Sequence, residues 1–195
     1  MDVELKGFAF RPMQSNDDPT KLSLGDSAHA PLKIFLKKNA FDFHQCQIAK
    51  TYVLIKSGSS QIWGYITLVN SEISLNCEQR PPEPIGAARY DTFPAVKIAR
   101  LAVDKRLQRN GFGRMMLEWA VSHVRISIMP HVGCRFIVVD TKDSSFSFYQ
   151  RAGFVLLNTQ ASVASEYPVM FFDLAKITNP FETIVKSIPI LADYS

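Results

Sequence analysis

The stretch from Val96 to Phe154 constrains the fold more than any other part of the chain. It opens on an apolar, β-branched run that ends near Val103. A polar loop, Asp104-Lys105-Arg106-Leu107-Gln108-Arg109-Asn110, then leads to two glycines, Gly111 and Gly113. The run predicts a buried strand, and the segment from Gly113 predicts a helix. Gly113, Met116, Leu117, Ala120, Val121, Val124 and Ile128 recur on one helical face, with Arg114, Glu118 and Arg125 on the other. A strand, a glycine-bearing turn and a helix start place several backbone N–H groups at the positive end of a helix dipole, where a pyrophosphate can sit. Without Cβ atoms at 111 and 113 the main chain can approach a phosphate closely, and Arg106, Arg109 and Arg114 add charge there. The spacing has neither the Gly-Lys-Ser/Thr ending of a P-loop nor the third glycine of the dinucleotide fingerprint. On this segment alone, a phosphate cradle and an ordinary turn before a helix are equal readings.

The next segment separates them. Cys134-Arg135-Phe136-Ile137-Val138-Val139-Asp140 predicts a second buried strand, and a short helix from about Ser144 ends in Phe148-Tyr149-Gln150-Arg151-Ala152-Gly153-Phe154. Gln-x-x-Gly-x-Gly after one strand, then Phe-Tyr-x-x-x-Gly-Phe after the next strand and helix, resembles the GCN5-related N-acetyltransferases (GNAT). The resemblance covers roughly Phe8 to Leu174. It implies acetyl-CoA as co-substrate and an α/β fold: one domain over 1–195 with a core at about 8–174, built on a mixed, mostly antiparallel sheet with helices on both faces. It also implies that the sheet splays between the strands near 96–103 and 135–140.

Composition agrees with a single globular domain: 195 residues, 47% hydrophobic and 21% charged, suffice for one core. A net charge of +4 favours an anionic ligand or partner. The 3 cysteines, Cys46, Cys77 and Cys134, are widely spaced. Neither a zinc site nor a disulfide framework is expected from them, and the expected location is the reducing cytoplasm. No signal core or membrane-spanning run is seen.

Taken in order, Phe8–Met13 predicts a first strand ended by Pro12 or placed by it at an edge. Residues 14–31 read as loop with a turn of helix. From Leu32 the period turns helical: Leu32, Phe35, Leu36, Asn39 and Phe43 share one face and Lys33, Lys37 and His44 another. The lysines suit a solvated face or a binding surface. Thr51–Ile55 and Ile62–Val69 predict a hairpin, with Gly64 marking a bulge or a close backbone approach. Asn76–Pro94 reads as a long irregular connection, either bordering the acceptor site or a surface insert. Phe154–Leu157 and Val169–Leu174 predict the last strands. Residues 175–195 form an extension whose Ile184, Val185, Ile188, Ile190 and Leu191 are too apolar for a solvated tail; it would pack on the domain or on a second subunit of a homodimer.

The resemblance implies roles residue by residue. Leu101, Ala102 and Val103 lie where the cofactor strand offers backbone groups to the pantetheine arm. Gln108, Arg109, Asn110, Gly111, Phe112, Gly113 and Arg114 would hold the pyrophosphate, with Phe148 beside the donor site. Tyr149 matches the tyrosine near the thioester sulfur; a phenol with a pKa of about 10 is protonated at neutral pH and can give its proton to a departing thiolate. The other reading of Tyr149 is a core aromatic beside Phe148 and Phe154. Where the family often has an asparagine ahead of Phe-Tyr, this chain has Lys142-Asp143-Ser144-Ser145, and Ser145 is the candidate replacement. No base is evident: His123 and His131 read as structural, and His44 and Glu72 remain as alternatives. A dedicated base is dispensable if the acceptor is an α-amine, whose pKa of about 8 leaves a useful neutral fraction, against roughly 10.4 for lysine.

Residues 49–54 (Ala-Lys-Thr-Tyr-Val-Leu), 100–104 (Arg-Leu-Ala-Val-Asp) and 148–154 look most similar to acetyltransferase-type toxins of bacterial toxin–antitoxin systems, which acetylate the α-amine of aminoacyl-tRNA. That resemblance implies tRNA as acceptor and an antitoxin protein as partner. Lys33, Lys37, Lys38, Lys50, Arg100, Lys105, Arg106 and Arg109 would suit an RNA backbone. The alternatives are an ordinary small-molecule or protein N-acetyltransferase and a non-catalytic acetyl-CoA sensor.

Overall fold

The computed structural model describes residues 3–5, 7–82 and 91–176. Eight strands are described: β1 Val3–Leu5, β2 Phe8–Pro12, β3 Lys50–Lys56, β4 Ile62–Ser74, β5 Thr92–Val103, β6 Phe136–Asp140, β7 Val155–Leu156 and β8 Val169–Asp173. They follow the order β1-β2-β3-β4-β5-β6-β8-β7. The helices are α1 Ala30–Lys38, α2 Ala40–Gln45, α3 Phe112–His123, α4 Asp143–Arg151 and α5 Gln160–Val163. Two compact units emerge, Met1–Val69 with Ala99–Trp119, and Asn70–Ile98 with residues 120–176.

In the first unit, alternation along β3 sends successive side chains to opposite faces of the sheet. Val53 and Ile55 join Tyr65, Leu22, Leu24, Phe35, Leu36 and Ala40 in a core capped by α1 and α2. Tyr52 points the other way onto Trp119 of α3, at 4.4 Å between ring centroids, and Phe10 meets the same indole edge-on at 4.9 Å. Helices therefore cover both faces here. The helix expected from Leu32 is divided: Asn39 leaves helical geometry (φ −126°), ending α1 and starting α2. The Tyr65 hydroxyl donates to the Leu32 carbonyl at 2.7 Å and fixes α1 on the sheet.

Gly64 satisfies both of its expectations. The β3–β4 ladder slips there, from Leu54↔Gly64 to Ile55↔Ile62, leaving Trp63 as the extra residue. A Cβ on Gly64 would lie 3.0 Å from the Ala102 carbonyl oxygen and 3.5 Å from Met116 Sδ, so only glycine fits without displacement.

In the second unit, Phe136, Val138, Ala95, Ile73, Leu75, Leu157 and Phe171 form the core. Arg135 clamps Asp173 through Nε at 2.6 Å and Nη2 at 3.1 Å, tying β6 to the end of β8. The β6–β8 and β7–β8 pairs are antiparallel and the β5–β6 pair is parallel. The parallel ladder runs Ala95↔Phe136, Val96↔Ile137, Lys97↔Val138 and stops, although β5 continues to Val103 and β6 to Asp140.

Three boundaries differ from expectation. β1 precedes the first expected strand and pairs with it antiparallel. β4 runs on to Ser74 and β5 starts at Thr92, so the expected irregular connection is shortened at its C-terminal end; its residues 83–90 lie outside the described residues. The expected helix from Gly113 starts at Phe112 and ends in a π-helical turn, Val124–Ile128. The apolar positions of the C-terminal extension also fall outside the described residues. No described helix is long and apolar enough to cross a membrane.

Candidate active site

The turn between β5 and α3 has the backbone that a phosphate cradle needs. Arg109 (φ 64°) and Gly111 (φ 86°) both adopt left-handed geometry on either side of Asn110, and Phe112 begins the helix. The Gly111 carbonyl takes the Met115 N–H at 2.9 Å, so the amides of Phe112, Gly113 and Arg114 open the helix without an acceptor inside it. Gln108, Arg109, Asn110, Gly111 and Arg114 are exposed and Gly113 is half-buried, whereas the Phe112 ring is buried against Phe8. Phe112 thus contributes its amide while its side chain anchors the helix. A Cβ at Gly111 would meet nothing within 4 Å, which leaves the approach to these amides open. Left-handed backbone, first-turn amides and open space fit a pyrophosphate.

The arginines do different work. Arg114 donates to Glu118 at 2.7 Å, one turn along α3. Arg106 grips Asp104 through Nε (2.7 Å) and Nη2 (2.9 Å), and its guanidinium lies 3.9 Å above the Trp63 ring. Arg109 has no ion pair among the described residues and remains available to an anion. Asp104 itself is fully buried. Burial alone would raise its carboxyl pKa, but hydrogen bonds from the Arg106 side chain and from the Ser23 and Arg106 amides outweigh that and lower it.

The end of β5 presents two kinds of backbone group. The Ala102 carbonyl faces Gly64 of β4, and the Asp104 N–H donates to the Trp63 carbonyl at 2.7 Å. Alternate residues of a strand turn their N–H and C=O to opposite edges. Leu101 and Val103 therefore face the edge away from β4, beyond the last rung of the β5–β6 ladder. An extended pantetheine arm would pair along that edge. The Val103 carbonyl is capped by Gln108 Nε2 at 3.0 Å. Ala102 faces the other edge, toward Gly64 of β4.

Tyr149 lies in the last turn of α4 and is 7% exposed. Its ring meets Phe148 at 5.0 Å and Phe154 at 5.5 Å, both edge-on. Burial pushes its phenol pKa upward, so the proton stays on at neutral pH. Among the described residues no acceptor takes that proton. The spacing of the motif has a local cause. Gly153 (φ 89°) donates to the Gln150 carbonyl at 3.0 Å and Phe154 donates to the Tyr149 carbonyl at 3.1 Å, a Schellman closure with Phe154 packed back on Tyr149. Ser145 sits half-buried in the first turn of the same helix, its amide donating to Lys142 at 2.8 Å.

The side chains weighed as a base have different surroundings. His44 Nδ1 accepts the Thr51 N–H at 3.1 Å, and burial together with Lys50 lowers its pKa, so it is a neutral structural acceptor. Glu72 is exposed on β4. Burial lowers the His123 pKa as well. Arg100, grouped by sequence with the RNA-facing charges, lies 3.7 Å over the Phe35 ring of α1. Asp104 had drawn no role from sequence, although its place between Val103 and Arg106 is a sequence signal for a turn cap.

The family model described as an acetyltransferase (GNAT) domain matches residues 51–156, more than half of the chain. The chain belongs to the GNAT acetyltransferase family. A "tRNA-acetylating toxin" of Mycobacterium tuberculosis is 25% identical to it over 150 residues, 76% of this chain and 85% of that protein. Among solved structures, a tyrosine-to-phenylalanine variant of KacT superposes with a TM-score of 0.73 at 23% identity, covering 92% of this chain and 99% of that one. AtaT complexed with acetyl-methionyl-tRNAfMet gives 0.71 at 23% identity, covering 87% and 96%. These similarities establish the GNAT fold.

Proposed function

We propose that this chain is an acetyl-CoA-dependent N-acetyltransferase whose acceptor is the α-amine of aminoacyl-tRNA, acting in the cytoplasm as the toxin of a toxin–antitoxin pair. The observation that carries the donor half is the left-handed turn at Arg109 and Gly111 heading α3, next to the end of β5 at Leu101 and Val103. The acceptor half draws support from the curated relative that acetylates tRNA and from AtaT, seen with an acetylated aminoacyl-tRNA. We read the two units as one catalytic domain, because β4, β5 and α3 each run from one into the other and the family match spans both.

Acetyl-CoA brings an activated acetyl thioester. Gln108 to Arg114 bind its pyrophosphate through backbone amides and Arg109. Leu101 and Val103 align the pantetheine arm as an added strand would, and the family resemblance assigns Ser145 and Phe148 to the same donor. Tyr149 holds a proton at its phenolic oxygen for the departing thiolate. An α-amine with a pKa of about 8 supplies its own neutral fraction, and water takes the proton it sheds. The test is acetyl transfer from labelled acetyl-CoA by the purified chain. Label should enter charged tRNA and not uncharged tRNA, because only the charged form presents the amine. Efficient labelling of small amines or peptides with none on charged tRNA would assign an ordinary N-acetyltransferase.

A further inference from the structure

We propose that Asp104 is a positioning residue for donor binding: it locks the turn that carries the pyrophosphate cradle to the end of β5, with Arg106 serving as its clamp and not as a phosphate ligand. The inference rests on the cradle reading of Gln108–Arg114.

The geometry is dense around one carboxylate. Oδ1 accepts the Arg106 amide at 3.0 Å and Nε at 2.7 Å; Oδ2 accepts the Ser23 amide at 2.9 Å and Nη2 at 2.9 Å. The Asp104 backbone is equally committed. Its N–H donates to Trp63 at 2.7 Å, and its carbonyl takes the amides of Leu107 at 2.9 Å and Gln108 at 3.1 Å. One residue thus joins the loop at Ser23, the bulge of β4 and the first turn toward the cradle. Lys105 adds a second rung to that loop, its amide donating to the Ser23 carbonyl at 2.7 Å. Gln108 is held at both ends, by its amide on Asp104 and its side chain on Val103. The next residue, Arg109, is the first in left-handed geometry. The aim of the cradle amides is therefore set relative to β5 through a short, closed path that begins at the Asp104 carboxylate.

Arg106 completes the device. Its guanidinium makes a two-pronged bond to Asp104 and covers the Trp63 ring, the residue left over in the β4 bulge. A planar fork can do both at once, which a lysine cannot. Its charge is spent on a buried carboxylate that would otherwise be unpaired.

The test compares binding of CoA and of pantetheine, which lacks the pyrophosphate and nucleotide, to the full-length wild type, Asp104→Asn and Asp104→Ser by calorimetry. Asp104→Asn removes the charge at constant shape, and Asp104→Ser keeps one acceptor for the Arg106 amide. The expected result is a loss of about tenfold or more in CoA affinity, with pantetheine affinity within about twofold of wild type. If Arg106 were a phosphate ligand, Asp104→Asn would release its charge and tighten CoA, and that result overturns the proposal. Unchanged CoA affinity, or equal losses for CoA and pantetheine, also overturns it, the second by making Asp104 a general stability residue. Should neither variant fold, Arg106→Lys decides. Loss of CoA affinity with pantetheine spared supports the clamp, because charge is kept and only the fork is gone; wild-type affinity rejects it. A wild-type protein that does not bind CoA removes the cradle itself, and the proposal with it.

Discussion

The phenol of Tyr149 is enclosed by Phe148 and Phe154 and held protonated by burial, so its packing and its chemistry can be separated by deleting one oxygen. Tyr149→Phe preserves both ring contacts. Turnover should fall about a hundredfold or more, the range of general acid catalysis, while acetyl-CoA affinity measured by calorimetry stays as in wild type. Equal turnover would make Tyr149 a packing residue only. At Gly111 the logic is reversed, because the space is open and the conformation is special. Aspartate tolerates left-handed backbone better than most residues, so Gly111→Asp should fold. Its carboxylate would stand among amides that await an anion, and the rise in melting temperature on adding CoA should disappear. A folded variant with an undiminished thermal shift would place the pyrophosphate elsewhere.

The α4 helix shows why part of the site could be read from sequence. Its Schellman closure needs a residue tolerant of positive φ just past the helix and an apolar residue next to it, four and five positions after Tyr149. That is a local requirement, and it leaves a local signature. Gly153→Ala tests it: the left-handed backbone is strained for alanine, and the new Cβ would lie 3.1 Å from Phe172 Cε2. Stability measured by denaturant unfolding should drop by about 1–2 kcal/mol, with turnover reduced as Tyr149 loses its seat; an unchanged midpoint would show that the cap is dispensable. The Gly111 turn, the hairpin at Gly64 and the strand alternation were legible for the same reason. The Asp104 network was legible only in part: its turn with Arg106 is local, but its Ser23 donor is 81 residues away and leaves no mark near Asp104. The break at Asn39 and the roles of Arg100 and Arg106 were hidden likewise. A sequence shows an arginine's charge but not the ring or carboxylate that engages it.

Over the whole molecule the question is which positive charges remain for an RNA. The net charge is +4, but Arg100 is stacked on Phe35, Arg106 is clamped to Asp104 and Lys50 donates to the His44 carbonyl at 3.2 Å. On α1, Lys37 and Lys38 are exposed and Lys33 is half-buried, close to an exposed Ile34. If tRNA lies along this helix, its acetylation should weaken steeply with salt, since each neutralised phosphate releases counterions. Reversing Lys33, Lys37 and Lys38 to glutamate should then lower acetylation of charged tRNA by at least tenfold. The same change should flatten the salt dependence by a slope of about 2–3, at close to one unit per lost phosphate contact. Acetyl-CoA affinity should be unaffected, because the cradle at 108–114 is built from a different segment. In cells, expression of the wild-type chain without a partner protein should arrest growth, and both the triple reversal and Tyr149→Phe should relieve the arrest by independent routes, one through tRNA binding and one through chemistry. A triple variant that still acetylates charged tRNA with wild-type efficiency and salt slope would leave α1 as an ordinary solvated face and move the RNA contact to another surface.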